Sequence, residues 1–415
     1  MITSVRLEGF KNFRDATLQL GPLTVIVGTN ASGKSNIRDA FRFLHGMGRG
    51  YSLAEIIGEK YVEGGVLVWK GIRGGIREVA FNGVNEFSLT SILFGGESDF
   101  IKHKICVDTH DLRAGPRVYS ERMEIGPFKS YHIRPSANLS THSISAWVRR
   151  DSSMTPVNNV SIPFLVFTPV LTQFKECSSA LDEDASAATG FVDALASMRF
   201  LDLSPEAMKV PSIPGQIILG DRGENLSSVL QAICNDEDTK RAVIEWVRQL
   251  TPLDVSDFDF VPDQTGRVLL TLIESTGRRT SAYSASDGTL RFLAIIAALM
   301  GPDSAKFYFL EEIDNGIHPT RLSLLLQLIE QQTKQRGIQV VTTTHSPQLL
   351  AMLSPEARQH ASLVYRLEGA TEAKITRIVD IPGANEVLET QNLGRLHESG
   401  WLENAVQFAN VVETP

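Results

Sequence analysis

Cysteine is nearly absent from this chain. Cys106, Cys177 and Cys234 are the only three in 415 residues, and they stand far apart. Such spacing offers neither a disulfide framework nor a metal-ligand set, so a reducing compartment is the simplest expectation. No run of about 18 apolar residues occurs, so no transmembrane helix is expected. Residues 1–10 alternate like a strand and lack a signal-peptide layout, which points to a cytoplasmic protein without a membrane association. Basic excess is missing too: 40 Lys and Arg face 48 Asp and Glu, a net charge of −8. The chain as a whole therefore has no electrostatic footprint for nucleic acid. Short basic clusters at Arg73/Arg77, Arg149-Arg150 and Arg278-Arg279 read as solvated loops. No internal repeat is visible, and no heptad run is long enough for a coiled coil.

What is present begins with Gly28-Thr29-Asn30-Ala31-Ser32-Gly33-Lys34-Ser35, which fits G-x-x-x-x-G-K-[ST] without mismatch. The apolar run Leu23–Val27 precedes it, and Ile37, Ala40, Phe41 and Leu44 follow at helical spacing. Strand, glycine loop, helix is the context this motif needs. Loop N–H groups and the positive helix end capture phosphate oxygens, and glycine lets the backbone come close. Lys34 would neutralise β/γ-phosphates, and the Ser35 hydroxyl would hold Mg²⁺.

Hydrophobic residues make up 42% of the chain and charged ones 21%, enough apolar content for a sizeable globular core. Residues 1–27 read as two strands joined through Lys11–Asp15. Short β-runs from about Val66 to Ile133 suggest an antiparallel sheet. Residues 135–160, rich in Ser, Asn and Thr, read as a loop. From about 176 to 250 the pattern is helical, with Asp236-Glu-Asp238 a helix start. Beyond Asp257 strands and helices alternate, as in an α/β core with a largely parallel sheet. The expected division is 1–165, an N-terminal lobe with the glycine loop and antiparallel β region; 166–255, a helical insertion; and 256–415, a C-terminal lobe.

Three further pieces carry chemistry. Phe307-Tyr-Phe-Leu310 runs straight into Glu311-Glu312. An apolar strand ending in two acids sets carboxylates where open α/β sheets bind ligands. Mg²⁺ wants hard oxygen ligands and hydrolysis wants a base to orient water, so one acid can serve each need. Strand Gln339–Thr343 delivers His345 to the same edge, where it can donate to a γ-phosphate oxygen. Ser286-Asp-Gly288 precedes an apolar helical run; it fits both an ordinary helix cap and a phosphate contact.

These four pieces, in this order, resemble the ATP-binding cassette heads of the SMC/RecF-type ATPases. They are most similar to the stand-alone ATPases of that branch, relatives of the OLD-type proteins. In the resemblance Gly28–Ser35 is Walker A, Ser286–Arg291 the signature segment, Phe307–Glu312 Walker B, Glu312–Pro319 the acidic D-loop stretch and Thr343–Pro347 the switch-histidine segment. Leu7–Phe13 and Met198–Pro205 extend the likeness over most of the chain. Departures are specific. Glu311 stands where Walker B usually has aspartate, Asp314 where relatives often carry Glu, and Ala285–Thr289 is not the transporter LSGGQ. No Q-loop glutamine can be placed, and the stretch between Walker A and signature is too short for a long coiled-coil arm.

The resemblance implies an α/β P-loop NTPase fold of ABC/SMC-head type: a mixed, mainly parallel sheet with an antiparallel β subdomain and a helical insertion. It implies ATP and Mg²⁺ as ligands. Residues Gly28 to Asn36 would cradle phosphates, with Ser35 and Glu311 at the metal, Glu312 orienting water and His345 sensing the γ-phosphate. Ser286 and Gly288 would act in trans, so an ATP-dependent homodimer or higher assembly is implied. Three roles follow: an engine gating a separate effector, such as a nuclease or toxin, in phage defence or genome maintenance; a DNA-binding recombination or repair ATPase; or a non-catalytic nucleotide-gated scaffold. A self-contained nuclease is disfavoured, because the 70 residues after His345 hold no acid cluster and Asp380 is isolated.

Overall fold

Three short segments are apolar or β-branched but for Gln339, and every residue in them is buried: Leu23–Val27, Phe307–Leu310 and Gln339–Thr344. A strand buried on both faces belongs inside a parallel sheet covered on two sides. The structure, a computed structural model, describes residues 1–94, 100–126, 129–134, 143–149, 163–174 and 182–412. In it these segments are the centre of a six-stranded sheet ordered Arg199–Leu201, Phe307–Leu310, Gln339–Thr344, Leu23–Val27, Ala361–Arg366, Ala373–Arg377. The first five run parallel and the last is antiparallel.

Alternation along these strands feeds two cores. Val25, Val27, Leu310, Val340 and Leu363 face helices Leu226–Ile233, Glu237–Leu250, Asp287–Met300 and Pro319–Arg336. Ile26, Phe307, Phe309, Val341 and Val364 face the opposite way, toward helices Lys34–Gly48 and Asp182–Ala196 and an eight-stranded antiparallel sheet. Phe41 anchors the Lys34–Gly48 helix on this side, its ring 5.1 Å from Phe307 and 5.8 Å from Phe309. Burial of this ring is worth about 3–5 kcal/mol by the usual cost of a core Phe→Ala change. It also fixes how the helix start lies over the acid-bearing strand.

The antiparallel sheet begins with the hairpin Ile2–Phe10/Phe13–Gln19 and continues through Glu86–Phe94, Phe100–Asp108, Arg117–Ile125, Lys129–Arg134, Ser143–Arg149 and Pro163–Leu165. Residues 1–27 thus form three strands rather than two, because the reversal needs only Lys11 and Asn12. Ser143–Arg149 is a strand inside the stretch read as a loop; most of 135–160, and Cys177, lie outside the described residues. Val66–Trp69 pairs with Lys60–Val62 as a separate hairpin. Val268–Glu274 belongs to a small antiparallel meander with Val255–Pro262 and Arg279–Ser281, not to the parallel sheet. The 166–255 stretch is not helical throughout: Arg199–Leu201 leaves it to pair with Tyr308–Leu310 at the edge of the central sheet. Among the described residues, no helix is long and apolar enough to cross a membrane.

Candidate nucleotide-binding site

Strand register decides which side chains meet. Leu201 pairs with Leu310, Leu310 with Thr342, and Thr344 with Val27. The residues that follow therefore emerge side by side: Asp202 near Glu311, and His345 near Gly28. Together with the loop they line one cavity of about 430 Å³, whose walls include Asn30, Lys34, Ser35, Glu311, Glu312 and His345.

The loop's conformation follows from its sequence. Gly28 has φ 157°, and a Cβ there would stand 2.2 Å from the Val364 carbonyl oxygen. Gly33, at φ 126°, would drive a Cβ to 2.7 Å from the Asn12 side chain. Ala31 between them holds φ 62°, a left-handed position costing about 1 kcal/mol for a residue with a Cβ. Asn12 clasps the turn from outside, donating to the Ser32 carbonyl at 3.1 Å and accepting from the Asn36 amide at 2.7 Å. This gives the Leu7–Phe13 segment a physical task. Thr29 and Asn30 are exposed at the loop's crest.

Lys34 is buried and folds back on the loop, donating to the carbonyls of Gly28 at 2.7 Å and Thr29 at 2.9 Å. Burial lowers its pKa to about 8, partly countered by Glu312. The Ser32 hydroxyl is buried without a partner. An orphaned donor, a glycine cradle with no room for side chains, and a hydroxyl and carboxylate (Ser35 and Glu311) on one cavity wall all fit a phosphate chain with Mg²⁺.

The two acids differ in setting. Glu311 pairs with Arg38, Nη1 to Oε2 3.2 Å, and burial raises its pKa. Glu312 sits at φ 46°, held there by its N–H donating to Thr343 Oγ1 at 3.1 Å. A strained backbone persists only where its surroundings over-determine it, and such positions gather at functional sites. Its Oε1 lies 4.0 Å from His345 Nε2. Burial and then the Lys34 charge depress the His345 pKa, so the imidazole is neutral at pH 7. Behind it, Thr344 Oγ1 donates to Asp314 at 2.7 Å and accepts from the Ser346 N–H at 2.9 Å. That chain ties the stretch after Glu312 to the helix after His345.

Ser286 and Gly288 are elsewhere. Ser286 caps the helix Asp287–Met300, its Oγ accepting from Thr289 N–H at 3.2 Å. With Gly288, Gly316, His318 and Arg321 it lines a second cavity of about 520 Å³. The same helix reaches the nucleotide cavity only through Arg291 and Ile295.

Sequence reasoning missed Asp202, Arg73 and Arg291 on the cavity wall, and Arg38, which stands outside the wall but pairs with Glu311. Arg38 follows Ser35 by three residues, a helical spacing that carries it to the same side. Asp202 lies within the quoted Met198–Pro205 stretch, where only the strand register reveals its place. Arg73 lies exposed in a turn, as read from the sequence, and its guanidinium also reaches the buried Asp39 at 3.0 Å. Arg278 and Arg279 stay at the surface, beside Glu274 and Asp259.

Comparison with known proteins agrees with this geometry. A family model described as "AAA ATPase domain" matches residues 1–64. A second, described as "AAA domain, putative AbiEii toxin, Type IV TA system", matches residues 205–351. An "ATP/GTP phosphatase" from Helicobacter pylori is 20% identical over 368 residues, covering 86% of this chain and 89% of that protein. The crystal structure of an SMC head bound to the C-terminal winged-helix domain of ScpA superposes with a TM-score of 0.50 at 14% identity, over 90% of this chain and 97% of that one. Residues 1–64 and 205–351 are thus similar to AAA-type ATPase domains, and the chain has the P-loop fold of an SMC head.

Proposed function

We propose that the protein binds ATP with Mg²⁺ in the 430 Å³ cavity, hydrolyses it, and couples the event to closure of two copies that gate a partner protein. One observation carries the reading. Loop, acids and histidine share one cavity, while Ser286 and Gly288 stand in another that holds no second phosphate cradle. A chain with one loop and one displaced signature segment can complete a site only with a second copy, each lending its signature to the other. That is an isologous arrangement.

The roles follow from the settings. Gly28, Thr29, Asn30, Ala31, Ser32, Gly33 and Asn36 present the loop to the phosphates, and Lys34 supplies the counter-charge. Ser35 and Glu311 hold Mg²⁺, which supplies charge neutralisation at the phosphates. For that task Glu311 must exchange Arg38 for the metal. Glu312, the less buried acid, orients the attacking water and accepts its proton. Neutral His345 donates one N–H toward the γ-phosphate. The Thr344 relay then lets loss of that contact reach Asp314 and, next to it, the signature helix of the other copy.

The family description that names a toxin of a toxin–antitoxin system, and the SMC head seen with ScpA, support an engine that works through a separate protein. A role in phage defence or genome maintenance is the setting we assign to it, in the cytoplasm. Steady-state ATPase assays of wild type and Glu312→Gln, with light scattering with and without ATP, test the reading. Turnover that Glu312→Gln abolishes while ATP-dependent dimer accumulates supports it. No turnover in wild type leaves a nucleotide-gated scaffold; no dimer with ATP in either protein removes the closure step.

A further inference from the structure

Beside the nucleotide cavity lies a larger one, about 1150 Å³, on the far side of Arg73 and Asp202, which line both. Its floor is the later part of the phosphate-loop helix, and its walls come from the Lys60–Trp69 hairpin and the segments around Arg199 and Asp221. Seven cations line it, and five of them, Arg42, Arg49, Lys70, Arg199 and Arg222, have no carboxylate within 4 Å among the described residues. Five carboxylates line it too, Asp39, Glu59, Asp202, Asp221 and Glu224. Asp39 holds Arg73, Glu59 accepts from the Tyr61 hydroxyl at 2.6 Å, and Glu224 accepts from Arg222 N–H at 3.1 Å. An acid that accepts from a neutral O–H or N–H keeps its charge, so seven cations face five carboxylates. Such an excess is unexpected in a chain of net charge −8, because clustered like charges repel one another unless an anion joins them.

The cavity is built to keep its guanidiniums in place. Arg42 lies over the Trp69 ring at 4.6 Å and near Phe200 at 5.6 Å, and Trp69 is itself fixed by donating Nε1–H to the Ile56 carbonyl at 3.1 Å. Cation–π contacts of this kind pre-organise the planar fork without neutralising it. The aromatic faces are taken by cations, Trp69 and Phe200 by Arg42 and Tyr51 by Lys60 and Arg49, so recognition falls to charge. His45, buried in the floor, is kept neutral by burial, its pKa near 4, and donates Nδ1–H to the Leu195 carbonyl; Arg49, Arg199 and Arg42 add to the effect.

We propose that this cavity is a second anion site that takes an oligophosphate. Six of the seven cations are arginines, whose forks match phosphate oxygens in pairs. The volume, more than twice that of the nucleotide cavity, suits several phosphates in a row. The phosphates can belong to a free phosphorylated molecule or to a nucleic-acid backbone; the chemistry is shared. Occupancy is felt next door. Arg38 and Arg73 also line the cavity, and each now holds an acid of the phosphate-loop region, Glu311 and Asp39. An oligophosphate competes for both guanidiniums and frees Glu311 for its metal. This second half rests on the ATPase reading above; the binding half does not.

The test uses the full chain carrying Lys34→Ala, which weakens the first site. Calorimetric titration with inorganic tripolyphosphate at 150 mM salt, roughly the physiological range, should give saturable binding. Adding Arg49→Gln, Lys70→Gln and Arg199→Gln should weaken it at least tenfold while the melting temperature stays within a few degrees. A twelve-residue oligothymidylate that binds and is lost with the same three changes identifies a nucleic-acid source; binding of tripolyphosphate alone identifies a free small molecule. Undiminished binding in the triple variant, or tighter binding of hexaglutamate than of tripolyphosphate, overturns the assignment. In protein with an intact Lys34, saturated with ATP, the ligand should change turnover at least twofold, and not in the triple variant. Binding without that change removes the coupling and leaves the site.

Discussion

The nucleotide cavity and the signature cavity are built by opposite means. In the first, six separate stretches of chain converge: the loop after Val27, Arg73, the acids after Leu310, His345 after Thr344, Asp202 after Leu201, and Arg291. In the second, one helix cap faces the turn at Gly316 and the start of another helix. Parallel register explains the contrast. Strands that end level with one another deliver their next residues to a common edge, whatever their separation in sequence. No strand ends at the signature cavity, so nothing within the chain completes it.

Lys34→Ala should break the first cavity outright. The loop's oxyanion pocket would lose its fixed counter-charge, together with the two contacts to Gly28 and Thr29. ATP affinity should fall beyond measurement in an equilibrium titration. An unchanged affinity would mean that phosphates are held somewhere else.

Glu312→Gln should keep ATP binding and lower turnover by about 10²–10⁴-fold, since an amide cannot take the water's proton. The amide retains the strained φ and the N–H bond to Thr343, so the fold is not expected to suffer. A larger loss in Glu311→Gln than in Glu312→Gln would exchange the two acids' roles.

Gly288 probes the second cavity. Its space is not free on all sides: a Cβ would lie 2.9 Å from the Gly316 carbonyl. Gly288→Ala therefore isolates this intramolecular strain, while Gly288→Trp adds the bulk that would fill the gap meant for another copy's phosphate. Trp should abolish ATP-dependent dimerisation and turnover with own-site ATP affinity within threefold, and Ala should do far less. Mixing Gly288→Trp with Lys34→Ala protein sharpens the comparison: a mixed dimer has one site with both lesions and one with neither. Partial recovery of activity means action in trans. Normal dimerisation in Gly288→Trp would reduce Ser286-Asp-Gly288 to the helix cap it visibly is.

Much of the first cavity was legible in the sequence, because its components are contiguous motifs on strands whose burial shows in their composition. Leu23–Val27, Phe307–Leu310 and Gln339–Thr344 announce themselves in this way. What stayed hidden depends on pairing. Arg199–Leu201 is three residues of ordinary composition, and only its alignment with Tyr308–Leu310 places Asp202 beside Glu311. Likewise Arg38 looks like a surface charge until its helix is docked beside Glu311. The antiparallel strand Ser143–Arg149 was missed because the Ser-, Asn- and Thr-rich stretch around it reads as a loop.

The smallest effect separates the cavities by charge alone. Buried Lys34 has its pKa lowered to about 8, whereas bound phosphates would raise it again. ATP affinity should therefore be flat below pH 8 and fall as pH rises beyond it, by about tenfold per unit until the bound form also loses its proton. ATP's own last ionisation, at about 6, is complete by then. Between pH 7.5 and 9.5, calorimetry in buffers of different ionisation enthalpy should record uptake of up to one proton per ATP. Desolvation is the main cause of the low value and Glu312 the counterweight. Removing that counterweight in Glu312→Gln must lower the Lys34 pKa further, so the break in affinity should move below pH 8. Dimer dissociation measured on preloaded protein should show no such break, because the cavity around Ser286 and Gly288 contains no buried lysine. A break that stays at the same pH in Glu312→Gln would mean that Lys34 and Glu312 do not share the site the register gives them.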